Sequence, residues 1–329
     1  MGRVKLYFMA PLGNVDDSIL QLKLKNGFEF DSMPYDEAAK FIGAIEKIPP
    51  EEVFRWRHFL TALSERKFFY IKNSFDYEMP IAESSKVQHV YFVQFYNNLY
   101  KLINDEIVTP LRFLRLFKSG NVFTTSWYIY RVSNNIPTVT YAGGGSFFNQ
   151  KEMFHLEDAE LEQAQKFFET IRIHKEFNYL ELALENFELS YTVDNPSLAF
   201  LSLWIASEVL FNPGKGETTY KISRNYAVLL GNSVDDAKRI QKDIKKLYEK
   251  RSSLIHNGNA IWNVVGEEDE VAKLRNYVRD SLKKIILMNL SKDALVDLLN
   301  SKGFGQLDND QMRIETTDPT LRNDYPISH

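Results

Sequence analysis

The chain has 329 residues, a formal net charge of −4 from 40 Lys and Arg against 44 Asp and Glu, and no cysteine. Hydrophobic residues make up 44% of it, an ordinary globular balance that excludes global disorder and collagen-like repeats. The absence of cysteine excludes disulfides, thiolate metal sites and a thiol nucleophile.

Neither half of the chain is basic. Residues 1–170 carry 19 basic and 21 acidic residues, and residues 171–329 carry 21 and 23. Proteins that coat nucleic acid electrostatically usually have a strongly basic domain, so contact with nucleic acid would need a local patch. The first residues lack the apolar core of a signal peptide, and no uncharged apolar run reaches the ~18 residues of a membrane span. We therefore expect a cytoplasmic protein with no membrane partner.

The first 150 residues have mixed α and β patterns. Leu20, Leu22 and Leu24 alternate with polar residues before Asn26-Gly27, which predicts a hairpin with a type I′ turn. Two helices are predicted, over 36–47 and 51–63, and they are separate because neither can run through Pro49-Pro50. A longer helix is predicted over 85–105. A second strand pair is predicted at Val122–Val132 and Ile136–Tyr141, followed by a flexible connector at residues 143–146.

From about residue 155 the pattern becomes helical. A stripe from Phe177 to Tyr191 has helical spacing, and Asn195-Pro196 predicts an N-cap and first residue for an apolar helix over 196–211. Further helices are predicted around Thr219–Leu230, from Ser233 to about Arg251, over 267–290 and over 291–300.

These patterns predict an α+β, mainly α protein. A mixed α/β N-terminal domain (1–155) is followed by a linking helix (156–172), an all-α up-and-down bundle (173–303) and a polar tail (304–329).

An arginine and a histidine stand out at the end of the helix that begins at Ser233. Its apolar stripe runs through Ala237, Ile240, Ile244 and Leu247, and one more step of four reaches Arg251. His256 follows five residues later, before a turn signal at Asn257-Gly258, so we expect the two side chains to be held close together. Glu208 is the only charged residue in the apolar helix over 196–211, and a buried acid usually has a partner. Arg251 is the preferred partner and Arg224 is its rival.

The segment from Leu247 to Gly258, LYEKRSSLIHNG, resembles the signature of the HEPN superfamily, an Arg followed by His after four to six residues. The Apea-like group, associated with abortive infection, is the most similar. The resemblance covers roughly residues 175–300 and includes the apolar helix with Trp204 and Glu208. It implies a HEPN-like helical bundle, and a metal-independent endoribonuclease whose two motifs meet across the two-fold axis of a homodimer.

The chemistry of the residues agrees with that implication. Metal-free RNA cleavage needs a base for the 2′-OH proton and a cation at the phosphate, roles that suit His256 and Arg251. Attack by the 2′-OH would leave a 2′,3′-cyclic phosphate. Ser252, Asn257 and Tyr248 could support the site, and Glu208 could orient Arg251.

The expected partners are cellular RNA such as tRNA, and a second copy of the chain bound through the helical domain. The resemblance also implies that the protein is an antiphage effector. Its N-terminal domain would gate the activity and bind an unknown trigger or inhibitor. We expect no cofactor and no metal, since His58, His89, His155, His174 and His329 lack metal-ligand spacing.

A local basic patch adds to this hypothesis. Seven basic residues face two acidic ones between positions 238 and 251, and Lys242, Lys245, Lys246 and Lys250 are the candidates for binding an RNA backbone. Other interpretations remain open. The lysines could be a solvated helix face, Arg251 and His256 could be structural, and the bundle could be a non-catalytic RNA- or nucleotide-binding module or a dimerising scaffold.

Overall fold

The computed structural model describes the chain at residues 2–53, 67–79, 98, 101, 103, 107–124, 126–134, 136–144, 153–171, 178–193, 195–211, 214, 216–257 and 268–307. Its contacts divide the chain into two compact units. The first comprises Met1–Thr170 with Tyr191–Asp194, and the second comprises Ile171–Ser190 with Asn195–His329. All the described strands belong to the first unit, and the described elements of the second are helices, which confirms the predicted α+β, mainly α class.

An antiparallel sheet forms the centre of the first unit. Its described strands follow the spatial order β2-β3-β1-β4-β5 and are β1 (Gly2–Pro11), β2 (Glu29–Pro34), β3 (Lys67–Met79), β4 (Ser126–Ser133) and β5 (Ile136–Gly144). The central strand β1 pairs with β3 from Gly2 opposite Met79 to Pro11 opposite Tyr70. Phe8, Met9 and Ala10 in β1 are all buried although successive side chains point to opposite faces, so both faces of the sheet are covered there.

The predicted first hairpin keeps its turn, but its two arms are joined by a single antiparallel bridge, Lys23 opposite Glu29. Asn26 and Gly27 both have positive φ (52° and 76°), and the Phe28 amide donates to the Lys25 carbonyl at 3.0 Å. However, Leu20 lies in a 3-10 helix (Asp17–Gln21), whose first turn is capped by the Asp16 side chain. The strand after the turn, β2, pairs with β3, a segment about forty residues further along the chain.

The second predicted hairpin is present as β4 and β5, with Asn134 at positive φ in the turn. The flexible connector predicted at residues 143–146 is wrong for its first half, because Gly143 and Gly144 belong to β5. Gly143 lies opposite Trp127, and a Cβ at this position would come within 2.3 Å of the Trp127 ring. The glycine therefore makes room for a buried indole. Residues 145–146 lie outside the described residues.

Four described helices accompany the sheet. α1 (Tyr35–Glu46) and α2 (Pro50–Val53) are separated at the two prolines as predicted, and α1 buries Ala38, Ala39 and Ile42 in a core with Phe68. The others are α3 (Thr109–Phe117) and α4 (Asp158–Thr170). The helix predicted as a link, α4, belongs to the first unit, where the Phe167 ring contacts that of Phe113. Residues 54–66 and nearly all of the helix predicted over 85–105 lie outside the described residues.

The helices of the second unit are α5 (Asn178–Thr192, whose last two residues are assigned to the first unit), α6 (Pro196–Phe211), α7 (Thr218–Leu230), α8 (Val234–Asn257), α9 (Glu268–Met288) and α10 (Lys292–Ser301). The start of α6 is as predicted, since the Asn195 side chain accepts the Ser197 amide at 2.8 Å and Pro196 is the first helical residue. α6 contacts α7, α8 and α9, and its nearly continuous apolar sequence explains this central position. Most of the predicted tail, 308–329, lies outside the described residues.

Candidate active site

Arg251 extends the buried stripe of α8. Ala237, Ile240, Ile244 and Leu247 are all at most 3% exposed, and the next step of four places Arg251 on the same face. Its side chain is 22% exposed. The arginine therefore lies at the edge of the bundle core.

Glu208 of α6 holds this arginine. A terminal nitrogen of Arg251 lies 2.7 Å from Glu208 Oε1, and the Glu208 side chain is 29% exposed. The structure thus contains the predicted ion pair. The rival Arg224 is used elsewhere, since its guanidinium donates to the carbonyls of Leu299 and Lys302, both at 2.9 Å, at the end of α10.

Tyr248 supports the same guanidinium from within α8. The Arg251 guanidinium carbon lies 5.3 Å from the centre of the Tyr248 ring, in cation–π range. Tyr248 also contacts Trp204 of α6 edge-on, with ring centres 5.2 Å apart, and Trp204 is fully buried. Nε of Arg251 and Nε1 of Trp204 are buried and have no hydrogen-bond partner among the described residues. The contact with Trp204 was missed in the sequence, although Phe200, Trp204 and Glu208 share one face of α6 at intervals of four.

The end of α8 differs from the prediction. The helix was expected to finish near Arg251, but it continues through Ser252 and Ser253, both half-buried, to Asn257. On one continuous helix, positions 251 and 256 are about 140° apart around the axis and about 7.5 Å apart along it. The short connecting segment expected between Arg251 and His256 is therefore helical, and the two positions belong to different faces. The side chains of His256 and Asn257 lie outside the described part of the structure.

The basic patch is divided by its contacts. Lys250 forms an ion pair with Glu270 of α9, so this member of the predicted patch is neutralised. Lys242 and Lys246 are exposed and Lys245 is half-buried. Among the described residues, none of these three lysines forms an ion pair. The patch that remains is thus smaller than the sequence predicted.

An acidic residue on the flank of α8 forms a separate network. Asp243 accepts from Tyr277 at 2.9 Å and lies 2.8 Å from Lys273, both on α9. Burial opposes ionisation of Asp243, but its hydrogen bonds with Lys273 and Tyr277 hold its pKa below the ordinary value. Burial also raises the pKa of Tyr277 to about 12. This network joins α8 to α9 and uses none of the predicted site residues.

Comparisons with known proteins gave no match: no protein-family model, no curated protein and no solved structure is similar to this chain. In the described part of the chain, no group of three or more His, Asp or Glu side chains could hold a metal ion. No described helix has the length and apolar character required to cross a membrane.

Proposed function

We propose that this chain is a metal-independent endoribonuclease that acts as a homodimer, with Arg251 and His256 as its catalytic residues. The observation that carries the proposal is the fixed guanidinium of Arg251, which Glu208 binds from one side and Tyr248 supports from another. A guanidinium held in place before substrate binds can stabilise charge that develops on a phosphate without further reorganisation. The resemblance of the Arg251–His256 segment to the HEPN signature rests on its residues alone.

The chemistry proceeds by attack of the ribose 2′-OH on the neighbouring phosphorus. The imidazole of His256 accepts the 2′-OH proton, the new O–P bond closes a 2′,3′-cyclic phosphate, and the bond to the 5′-oxygen breaks. The leaving oxygen takes up a proton from a general acid. Arg251 binds the non-bridging oxygens as their charge grows. Removing Arg251 is expected to reduce the rate by a factor on the order of 10²–10³, as for the loss of a single transition-state donor.

The different faces of positions 251 and 256 support a site shared between two chains. One helix does not present both residues side by side, whereas a two-fold axis can place position 256 of one protomer near Arg251 of the other. Two such sites would form in each dimer.

The experiment that tests this proposal is incubation of the purified protein with total RNA in EDTA, with mapping of cleavage ends. We expect cleavage that leaves 2′,3′-cyclic phosphate ends and is lost in Arg251→Ala and in His256→Ala. The matched control is Asp280→Asn, which changes an exposed carboxylate of α9 and should cut like the wild type. An absence of cleavage by the wild type on every RNA tested would overturn the enzyme proposal.

Mixed dimers test the shared site directly. In a dimer of one Arg251→Ala chain and one His256→Ala chain, one shared site carries both substitutions and the other carries neither. Random mixing of the two inactive variants should therefore restore about a quarter of the wild-type activity. If each site belonged to a single chain, every site in the mixture would be defective and no activity would return.

The biological role we propose is that of an antiphage effector of the abortive-infection type, with the first unit restraining the nuclease. This part is supported only by the resemblance. It predicts that overproduction slows growth of the host and that the effect disappears in His256→Ala. Growth inhibition that survives the substitution would show that the motif is not responsible.

A second candidate function is a non-catalytic RNA- or nucleotide-binding module. The observation that favours it is the engagement of Arg251 with both Glu208 and Tyr248, which is also what a purely structural arginine would show. This alternative predicts binding of RNA without cleavage. It also predicts that Arg251→Ala lowers stability more than it lowers RNA affinity.

A further inference from the structure

The solvent face of α8 carries lysines at helical spacing. At about 100° per residue, Lys238, Lys242 and Lys245 fall within about 60° around the axis. Lys238 and Lys242 are exposed and Lys245 is half-buried, while the buried stripe that ends at Arg251 occupies the opposite side. These three residues, which we call the lysine track, extend over about 10.5 Å of helix.

The charge of the lysine track is not neutralised within the described residues. Among these residues, none of its three members forms an ion pair. Two basic residues on other faces of α8 are paired, since Arg239 lies 2.6 Å from Asp236 and Lys250 contacts Glu270. Asp236 and Glu270 are therefore used by the other faces, whereas the exposed Asp235 and Glu249 lie beyond the two ends of the track.

The lysine track shares its face with position 256 of the Arg-His motif. Position 256 follows Lys238 by eighteen residues, which is five helical turns, so the two positions have the same angle around the axis. It lies about 16 Å beyond Lys245 along a helix that is continuous through Asn257. Glu249, which is exposed, lies on this face between them. Its negative charge disfavours a phosphate there and separates the track from the motif.

We propose that the lysine track binds the phosphate backbone of an RNA strand several nucleotides away from the scissile phosphate. The substrate is then an extended RNA chain and not a nucleotide or a very short oligonucleotide. The part of this inference that concerns the scissile phosphate rests on the proposed function. Its binding part can be tested separately, because the lysines should contact phosphates whether or not the motif cuts.

The test compares two double variants of the full-length chain. Lys238→Ala with Lys242→Ala removes two exposed charges of the track, and Lys40→Ala with Lys47→Ala removes two exposed charges of the first unit. The probe is a fully 2′-O-methylated dodecanucleotide, which cannot undergo 2′-OH attack. We measure its affinity as a function of salt concentration.

The track variant should bind more weakly, with the slope of log affinity against log salt shallower by about 1.4, or 0.7 for each lost phosphate contact. The control variant should keep the wild-type slope, and replacing both track lysines by arginine should preserve it too. Equal slopes for the track and control variants would overturn the inference.

Cleavage of unmodified RNA separates the two proposals. The wild type should cut a dodecanucleotide with a lower KM than a trinucleotide, and the track variant should lose this advantage without losing kcat. Cleavage that is independent of both RNA length and the track would overturn the inference and leave the nuclease standing. Track-dependent binding by a wild type that cuts no RNA would support the track and overturn the nuclease.

Discussion

Replacing Glu208 by glutamine should weaken the helical unit because it removes the charge that faces Arg251. The variant keeps the size of the side chain and one hydrogen-bond acceptor. The paired nitrogen and oxygen are 2.7 Å apart, and about a quarter of each side chain is exposed. Fully exposed pairs contribute roughly 0.2–1 kcal/mol, and breaking a buried pair costs about 3–5 kcal/mol. The retained acceptor moderates the loss, so we expect about 1–2 kcal/mol.

The assay is thermal unfolding followed by far-UV circular dichroism, which is dominated by helices. For a unit of this size, 1 kcal/mol corresponds to about 2–4 °C, so Tm should fall by about 2–8 °C. The control Asp280→Asn removes an exposed carboxylate 3.0 Å from Arg279 and should change stability by less than about 0.5 kcal/mol. High salt should reduce the difference between wild type and Glu208→Gln only slightly, because a partly buried pair is poorly screened.

A double-mutant cycle with Arg251→Met identifies the origin of the effect. If the loss comes from the ion pair, the two substitutions should couple by about 1 kcal/mol or more. A Glu208→Gln variant as stable as Asp280→Asn, or a coupling near zero, would refute the reasoning. Glu208 would then contribute nothing to holding Arg251.

Three further outcomes follow from other parts of the chain. Gly143→Val should destabilise the first unit by about 1–3 kcal/mol in urea unfolding, because its side chain would enter the space of Trp127; wild-type stability would contradict this. The hydrogen bond to Asp16 at 2.6 Å raises the pKa of His155. The contact between protonated His155 and Asp16 therefore stabilises the fold fully below about pH 6.5, the pKa of an unfolded histidine, and this stabilisation disappears as pH rises through the raised pKa of the folded state. The Tm of His155→Gln should therefore fall below that of the wild type at acidic pH only, and a pH-independent difference would argue against the contact. Lys292, whose pKa burial lowers to about 8, donates to two carbonyls in the last turn of α6 at 2.6 and 2.5 Å; Lys292→Met should lower stability by about 1–3 kcal/mol, whereas an unchanged unfolding curve would exclude this role.

Much of the helical unit could be predicted from local sequence. The first residues of α6 follow from Asn195 and Pro196, because capping and the fixed φ of proline act within one turn. The buried stripe of α8 follows from helical spacing, which also placed Arg251 on the inner face. The partner of Arg251 was predicted because Glu208 is the only charge on an apolar helix, and few arginines could reach it.

Other features depended on contacts between distant segments. The turn at Asn26-Gly27 is present, but its strand β2 pairs with β3, and no local pattern identifies that partner. Gly143 was predicted to lie in a flexible connector. The reason for a glycine there is the ring of Trp127 on the neighbouring strand, which leaves no room for a side chain and is not visible in the local sequence. Lys250 was predicted to be available for RNA binding, because its ion-pair partner Glu270 lies on another helix and is twenty residues away in the sequence.

The sequence by itself determined the class of fold, the capped starts of helices and the inner stripe that leads to Arg251. These depend on interactions over a few residues, which hydrophobic spacing and capping side chains encode directly. Tertiary structure alone decided which lysines keep their charge and which strands pair, because those outcomes depend on side chains that are distant in sequence and close in space. The structure also shows that α8 continues past Arg251 to Asn257, which places positions 251 and 256 on different faces of one helix.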